Sequence, residues 1–215
     1  MNNCMIESNV SLDLMEFIEK NILPKYIDFD RAHNLKHVQQ VIKNSLILAK
    51  TVGADLDMVY TIAAYHDLGL NGPRAIHHIT GGKILQSDVR LKRWFSPEKL
   101  RLMKEAIEDH RASASRAPRS IYGKIVAEAD RDLDSDHVFR RAVQFGLEKY
   151  PEKNKEEQWS RFLDHMKEKY SNEGYIHLWI QGSPNALKLK EVRDIISQPA
   201  LLYTYFDRIY EEEKI

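Results

Sequence analysis

The stretch TIAAYHDLGLNG, residues 61–72, decides how this chain is read. Ile62, Ala63, Ala64 and Tyr65 have the small, apolar character of a buried helix. His66 and Asp67 then arrive side by side where the pattern is due another apolar residue. Gly69, Asn71 and Gly72 follow and break the helix. An imidazole and a carboxylate turned against a core are costly unless they are paired or bind a metal. Upstream, Leu56, Val59 and Ala63 form one stripe that runs into His66, with Asp55 placed as an N-cap.

Outward from this stretch the pattern stays helical. Leu12, Met15, Phe17 and Ile18 predict a helix over 11–22, with Pro24 as a stop. Leu35, Val38, Ile42, Leu46 and Ala49 predict a second over 34–52, closed by Gly53. After the helix over 55–67 comes a Gly, Asn and Pro loop at 69–76, then a short helix over 78–88. Ser96 and Pro97 open another, whose stripe Leu100, Met103, Ile107 ends at His110. A polar loop with Ser113 and Ser115 precedes a helix over 119–133, with Tyr122, Val126, Asp130 and Leu133 on one face. The last third is charged and breaks at Pro151; its end reads as two helices interrupted near Pro199. No run alternates as a strand would. The expectation is a single all-α domain over 1–215, with its motifs at about 30–140 and a helical extension over about 150–215.

Composition excludes several classes. The 32 Lys+Arg balance 32 Asp+Glu, so nothing suggests a general binder of nucleic-acid polymers or of membrane surfaces. Cys4 is the single cysteine, which rules out an intramolecular disulfide and a cysteine-type zinc site. Glu7, Asp13, Glu16 and Glu19 interrupt any signal-like run, and no stretch approaches the roughly 20 apolar residues of a membrane span. A cytoplasmic protein is expected. The apolar segment PALLYTYF, 199–206, suits either core or the surface of a homodimer.

His37, the pair His66–Asp67, His110 and Asp130 each lie on or beside an apolar stripe of a different helix. Imidazole nitrogens with carboxylate oxygens make a borderline ligand set, suited to Zn, Fe, Mn, Co or Ni better than to calcium. Neighbours on a helix diverge by about 100°, so His66 and Asp67 share a site only where the helix is ending. Singly, each residue has a plainer reading: a core histidine for His37, a C-terminal cap for His110, a solvated acidic run for Asp130. Order and context together argue for a site.

That order, His37, then His66–Asp67, then Asp130, resembles the HD superfamily of metal-dependent phosphohydrolases. AHNLKHVQQVIKNSLILA resembles the first motif of the family, AAYHDLGL the central one and IVAEADRDLD the last. The resemblance implies an HD-domain-like helical bundle holding one or two divalent ions among Mn, Fe, Co, Ni, Zn and Mg. It carries over His37, His66, Asp67 and Asp130 as ligands. His77, opening HHITGGKIL, is a fifth candidate, with His78 as the neighbour one register away, and His110 is a sixth. Arg111 stands where two-metal members carry a second histidine, which favours one metal over two.

The implied activity is cleavage of a phosphoester or phosphoanhydride of a small phosphorylated molecule, a nucleotide by preference, by metal-activated water with Asp67 at its centre. Cations to neutralise phosphoryl oxygens are sought in Lys36, Arg111, Arg116, Arg119 and Lys124, although loop arginines are usually solvated. His33, four residues before His37, is placed to orient water or a leaving group, or to hold His37 in one tautomer. The rivals are a di-iron oxygenase on the same fold and a ligand-binding module without catalysis.

Overall fold

Side chains that accept the first free N–H groups set where most helices begin. Asn34, Asp55, Ser96, Ser120, Asp134 and Asn154 each cap a helix in this way. The computed structural model of the protein describes residues 9–29, 33–111 and 116–214. Cys4 and the serine loop at 113 and 115 lie outside them. Among the described residues there are ten α-helices and no strand, so the chain is all-α.

By contact the chain divides into two compact units, meeting in sequence at Asp130 and Arg131. The first holds α1 (Leu12–Asn21), α2 (Leu35–Val52), α3 (Leu56–Tyr65), α4 (His77–Ser87), α5 (Pro97–Glu108) and α6 (Ile121–Ala129). The second holds α7 (Ser135–Lys149), α8 (Lys155–Tyr170), α9 (Pro184–Ile196) and α10 (Pro199–Glu213). In the second unit Phe206 packs on Phe162 and Trp159, while Tyr203 and Leu201 of the same helix are exposed. PALLYTYF therefore splits between core and surface.

Helix α3 is the centre of the first unit. Residues 58–69 are all buried, and α3 packs against α2, α5 and α6. A helix apolar all round belongs in a core, which is why its sequence shows so weak a polar face. Gly53 closes α2 in the left-handed region at φ 66°.

Beyond α3 the chain turns through short 3₁₀ segments, Leu68–Asn71 and Arg74–Ile76, into α4. Gly69 makes this possible by close approach rather than by unusual torsion angles. A Cβ there would lie 1.9 Å from the His77 carbonyl oxygen, and one on Gly81 would lie 2.9 Å from the His66 carbonyl oxygen. Main chain crosses main chain at this point, which brings the start of α4 against the end of α3.

The helix expected over 11–22 is α1, whose Leu12 is 80% exposed, because Leu14 and Ile18 supply its buried face. One local expectation needs correction. The helix expected over 119–133 stops at Ala129, with Asp130 as its C-cap. Leu133 is buried without being helical.

Candidate metal centre

The site forms where five helix ends of the first unit converge. His37 sits in the first turn of α2, and its amide is held by the Asn34 cap at 3.2 Å. His66 and Asp67 end α3, His77 opens α4, His110 follows α5 and Asp130 follows α6. His66, Asp67 and His110 are buried, and His37, His77 and Asp130 are half-buried.

Asp67 divides its oxygens between two groups of histidines. Oδ2 lies 3.1 Å from His66 Nε2 and 3.5 Å from His37 Nε2. Oδ1 lies 3.6 Å from His110 Nε2 and 3.7 Å from His77 Nε2. Asp130 Oδ1 completes the first group, 3.2 Å from His37 Nε2 and 3.6 Å from His66 Nε2. In the second group His77 Nε2 and His110 Nε2 are 3.1 Å apart.

Main-chain carbonyls aim three of these rings. Nδ1 of His66 donates to Ala63 O at 2.8 Å, that of His77 to Arg74 O at 2.7 Å and that of His110 to Ile107 O at 2.6 Å. A carbonyl can only accept, so Nδ1 carries the hydrogen and the neutral ring presents the lone pair of Nε2 to the centre.

These donors fit a metal. Ligand atoms 2.0–2.2 Å from one ion stand about 3–3.6 Å from each other, the spacing found here. Nε2 of His37 and of His66 are buried near two carboxylates and yet make no hydrogen bond. Buried polar atoms are rarely left so. Two donor sets satisfy the geometry, His37–His66–Asp67 and Asp67–His77–His110.

The electrostatics agree. Burial alone would raise the Asp67 carboxyl, but the charge of His66 and its contacts with His110, His37 and His66 hold it far below the usual range. Asp130 is likewise held low against burial by His37 and His66. Burial would lower His66, yet Asp67 and Asp130 raise it, and His37 is raised against burial by the same two carboxylates. The pocket thus favours positive charge at its centre, whether carried by protons or by a metal.

Residues 34–133 match the HD domain family. This part of the chain is an HD domain. HD domains belong to metal-dependent hydrolases, and the cluster is of the kind that holds a divalent ion. No curated protein matches the sequence. A crystal structure of a predicted HD superfamily hydrolase from an uncultured Thermotogales bacterium is similar at 22% identity, covering 76% of this chain and 90% of that one, with a TM-score of 0.49.

The HD domain places the remaining candidates unevenly. His77 faces the centre, whereas His78 stands outside both donor sets, its Nδ1 without a hydrogen bond. Burial and the nearby Arg111 charge push the His78 imidazole down to about 4. Arg111 donates from Nη1 to Ala75 O at 2.9 Å, which holds it over the turn that leads into His77. His33 stacks edge-on against His37 with ring centroids 5.7 Å apart.

Four of the cations sought in the sequence sit elsewhere. Lys36 lines a separate cleft of about 310 Å³ with Glu19, Gln39, Gln40 and Lys43, because one position along α2 turns it away from His37. Arg119 is taken up by acids: its Nε and amide donate to the buried Asp109, and its Nη2 to Glu108 at 2.8 Å. Arg116 is exposed and 3.6 Å from the same Asp109. Lys124 lies six positions before Asp130, about 120° around the α6 axis from it.

Arg74 escapes the sequence reading. Its Nη2 is 3.4 Å from His33 Nε2, and its carbonyl aims His77. The only signal is its place in the loop between two motifs. Tyr26 is a second such residue, fully buried, with its hydroxyl 2.9 Å from Ala64 O at the end of α3. Nothing in the spacing of its segment points to the site.

Proposed function

We propose that this HD domain is a metal-dependent phosphohydrolase acting on a small phosphorylated molecule, with nucleotides as the first class to test. The observation that carries the reading is Asp67, whose two oxygens face two separate donor sets at 3.1–3.7 Å. His37, His66, Asp67 and Asp130 would hold one divalent ion, and Asp67, His77 and His110 a second. The two sets outweigh the preference for a single ion drawn from Arg111, since Arg111 is anchored on the Ala75 carbonyl. When bound, such ions supply a water acidic enough to ionise near neutral pH and polarise a phosphoryl oxygen.

The protein's own part is orientation and charge. Carbonyls of Ala63, Arg74 and Ile107 keep three imidazoles aimed. Arg74 and Arg111, on either side of the turn before His77, would neutralise phosphoryl oxygens. His33, at the exposed edge beside His37, would hydrogen-bond water or the leaving group.

Elemental analysis of the purified protein, followed by a phosphatase screen of nucleotides and phosphosugars with Mn, Co, Ni, Mg and Zn, tests the reading. Bound metal together with metal-dependent phosphate release supports it. Absence of metal uptake, or release that persists after chelation, would refute it. The second donor set also suits a di-iron oxygenase, for which bound iron with oxygen uptake and no phosphatase activity is the distinguishing result.

A further inference from the structure

Neighbouring residues of an α-helix point about 100° apart, yet His66 and Asp67 serve one centre. The last carbonyls of α3 show how. Ala63 O would ordinarily accept from the amide of residue 67 and Ala64 O from that of residue 68. Instead His66 Nδ1 takes Ala63 O at 2.8 Å, and the Tyr26 hydroxyl takes Ala64 O at 2.9 Å. No main-chain bond continues α3 through the Asp67 and Leu68 amides. Asp67 itself leaves helical geometry, with φ −102° and ψ 2°.

We infer that Tyr26 is a positioning residue for the metal centre: its hydroxyl, bonded to Ala64 O in place of the Leu68 amide, stops α3 at His66 and turns the Asp67 carboxylate between the two histidine sets. Three features make it suited to this. It is fully buried, so no water competes for the bond to Ala64 O. It stands on a short 3₁₀ turn, Leu23–Tyr26, started by Pro24. Its ring is backed by Phe29 at 5.0 Å between centroids. A hydroxyl can donate a bond, so a single side-chain atom takes the place of the Leu68 amide at Ala64 O and ends the helical ladder. The functional part of this inference rests on the metal reading above; the structural part does not.

Tyr26→Phe keeps the ring and removes the hydroxyl. Tyr65→Phe is the control, since Tyr65 ends the same helix but spends its hydroxyl on Asp88, 2.9 Å away. Two measurements are made on the full chain. Amide hydrogen exchange by NMR on metal-free protein should show Leu68 unprotected in the wild type and in Tyr65→Phe, and protected in Tyr26→Phe, where Ala64 O is free to accept its amide, while Ile62 and Ala63 stay protected. Titration with Co²⁺, followed by visible absorption, should show a dissociation constant raised about 10–100-fold in Tyr26→Phe, with an altered spectrum, and little change in Tyr65→Phe. Unchanged exchange at Leu68, or protection lost along all of α3, overturns the inference. Equal loss of Co²⁺ affinity in both variants overturns it too. A wild type that takes up no Co²⁺ refutes the metal reading alone, and the exchange data then still decide the role of Tyr26.

Discussion

His77 and His110 face each other through their Nε2 atoms at 3.1 Å, although the Nδ1 of each is already bound to a main-chain carbonyl. In neutral rings both facing atoms carry lone pairs, and lone pairs at that distance repel. A positive charge between them, shared with Asp67 Oδ1, removes the repulsion. Burial and the neighbouring His110 keep the His77 imidazole below its usual value, which suits it to offer a lone pair.

The wild-type protein is therefore expected to bind two metal equivalents per chain, and His110→Ala one. Stripping the protein and titrating metal back by calorimetry checks this. A wild type that saturates at one equivalent would restore the single-metal reading. Each occupied site should also raise stability, by about 2.7 kcal/mol at a free metal concentration 100 times the dissociation constant.

Asp67→Ala removes the oxygen atoms common to both donor sets. Hydrolysis should fall by well over the 10–100-fold typical of residues that merely orient a ligand, while circular dichroism stays helical. Turnover at the wild-type rate would show that the chemistry lies elsewhere.

Two arginines that look alike in the sequence should behave differently. Arg111→Ala is expected to raise KM with little change in melting temperature. Arg119→Ala leaves the buried Asp109 without its main partner and should cost about 1–3 kcal/mol with KM unchanged for the folded protein. Measuring KM and Tm on both variants separates the roles, and a reversed pattern would remove Arg111 from substrate binding.

Gly69→Ala should be far worse than Gly72→Ala. The new Cβ meets main chain at 1.9 Å in the first case and nothing nearer than 3.6 Å in the second. Thermal unfolding should show a loss of at least about 1–3 kcal/mol for Gly69→Ala and a small change for Gly72→Ala. Equal tolerance would mean that the crossing of α3 and α4 is loose.

Much of this could be read from residue order. The bounds of α2 and the start of α3 follow from Asn34, Gly53 and Asp55, whose side chains or conformations act locally. The gathering of His37, His66, Asp67 and Asp130 was legible in their flanking motifs. What was hidden depends on partners distant in the chain. Arg111 suggested a single metal because it stands where a second histidine would, while its anchor, the carbonyl of Ala75, leaves no mark in the sequence. Arg119 was sought as a phosphate ligand, and nothing in the sequence shows its acid partner, Asp109. Gly69 read as a helix breaker, while its reason is the backbone it touches eight residues on.

Asp130 closes the first unit and is also the last donor in chain order. As the polypeptide emerges from the ribosome, Asp67, His77 and His110 are all present before it. The first set stays three-sided until residue 130 has been made and α6 has folded back against α2 and α5. If the proposed centre binds as its donors suggest, nascent chains and fragments ending earlier would hold an ion through the second set alone, and full loading would report that translation has passed α6.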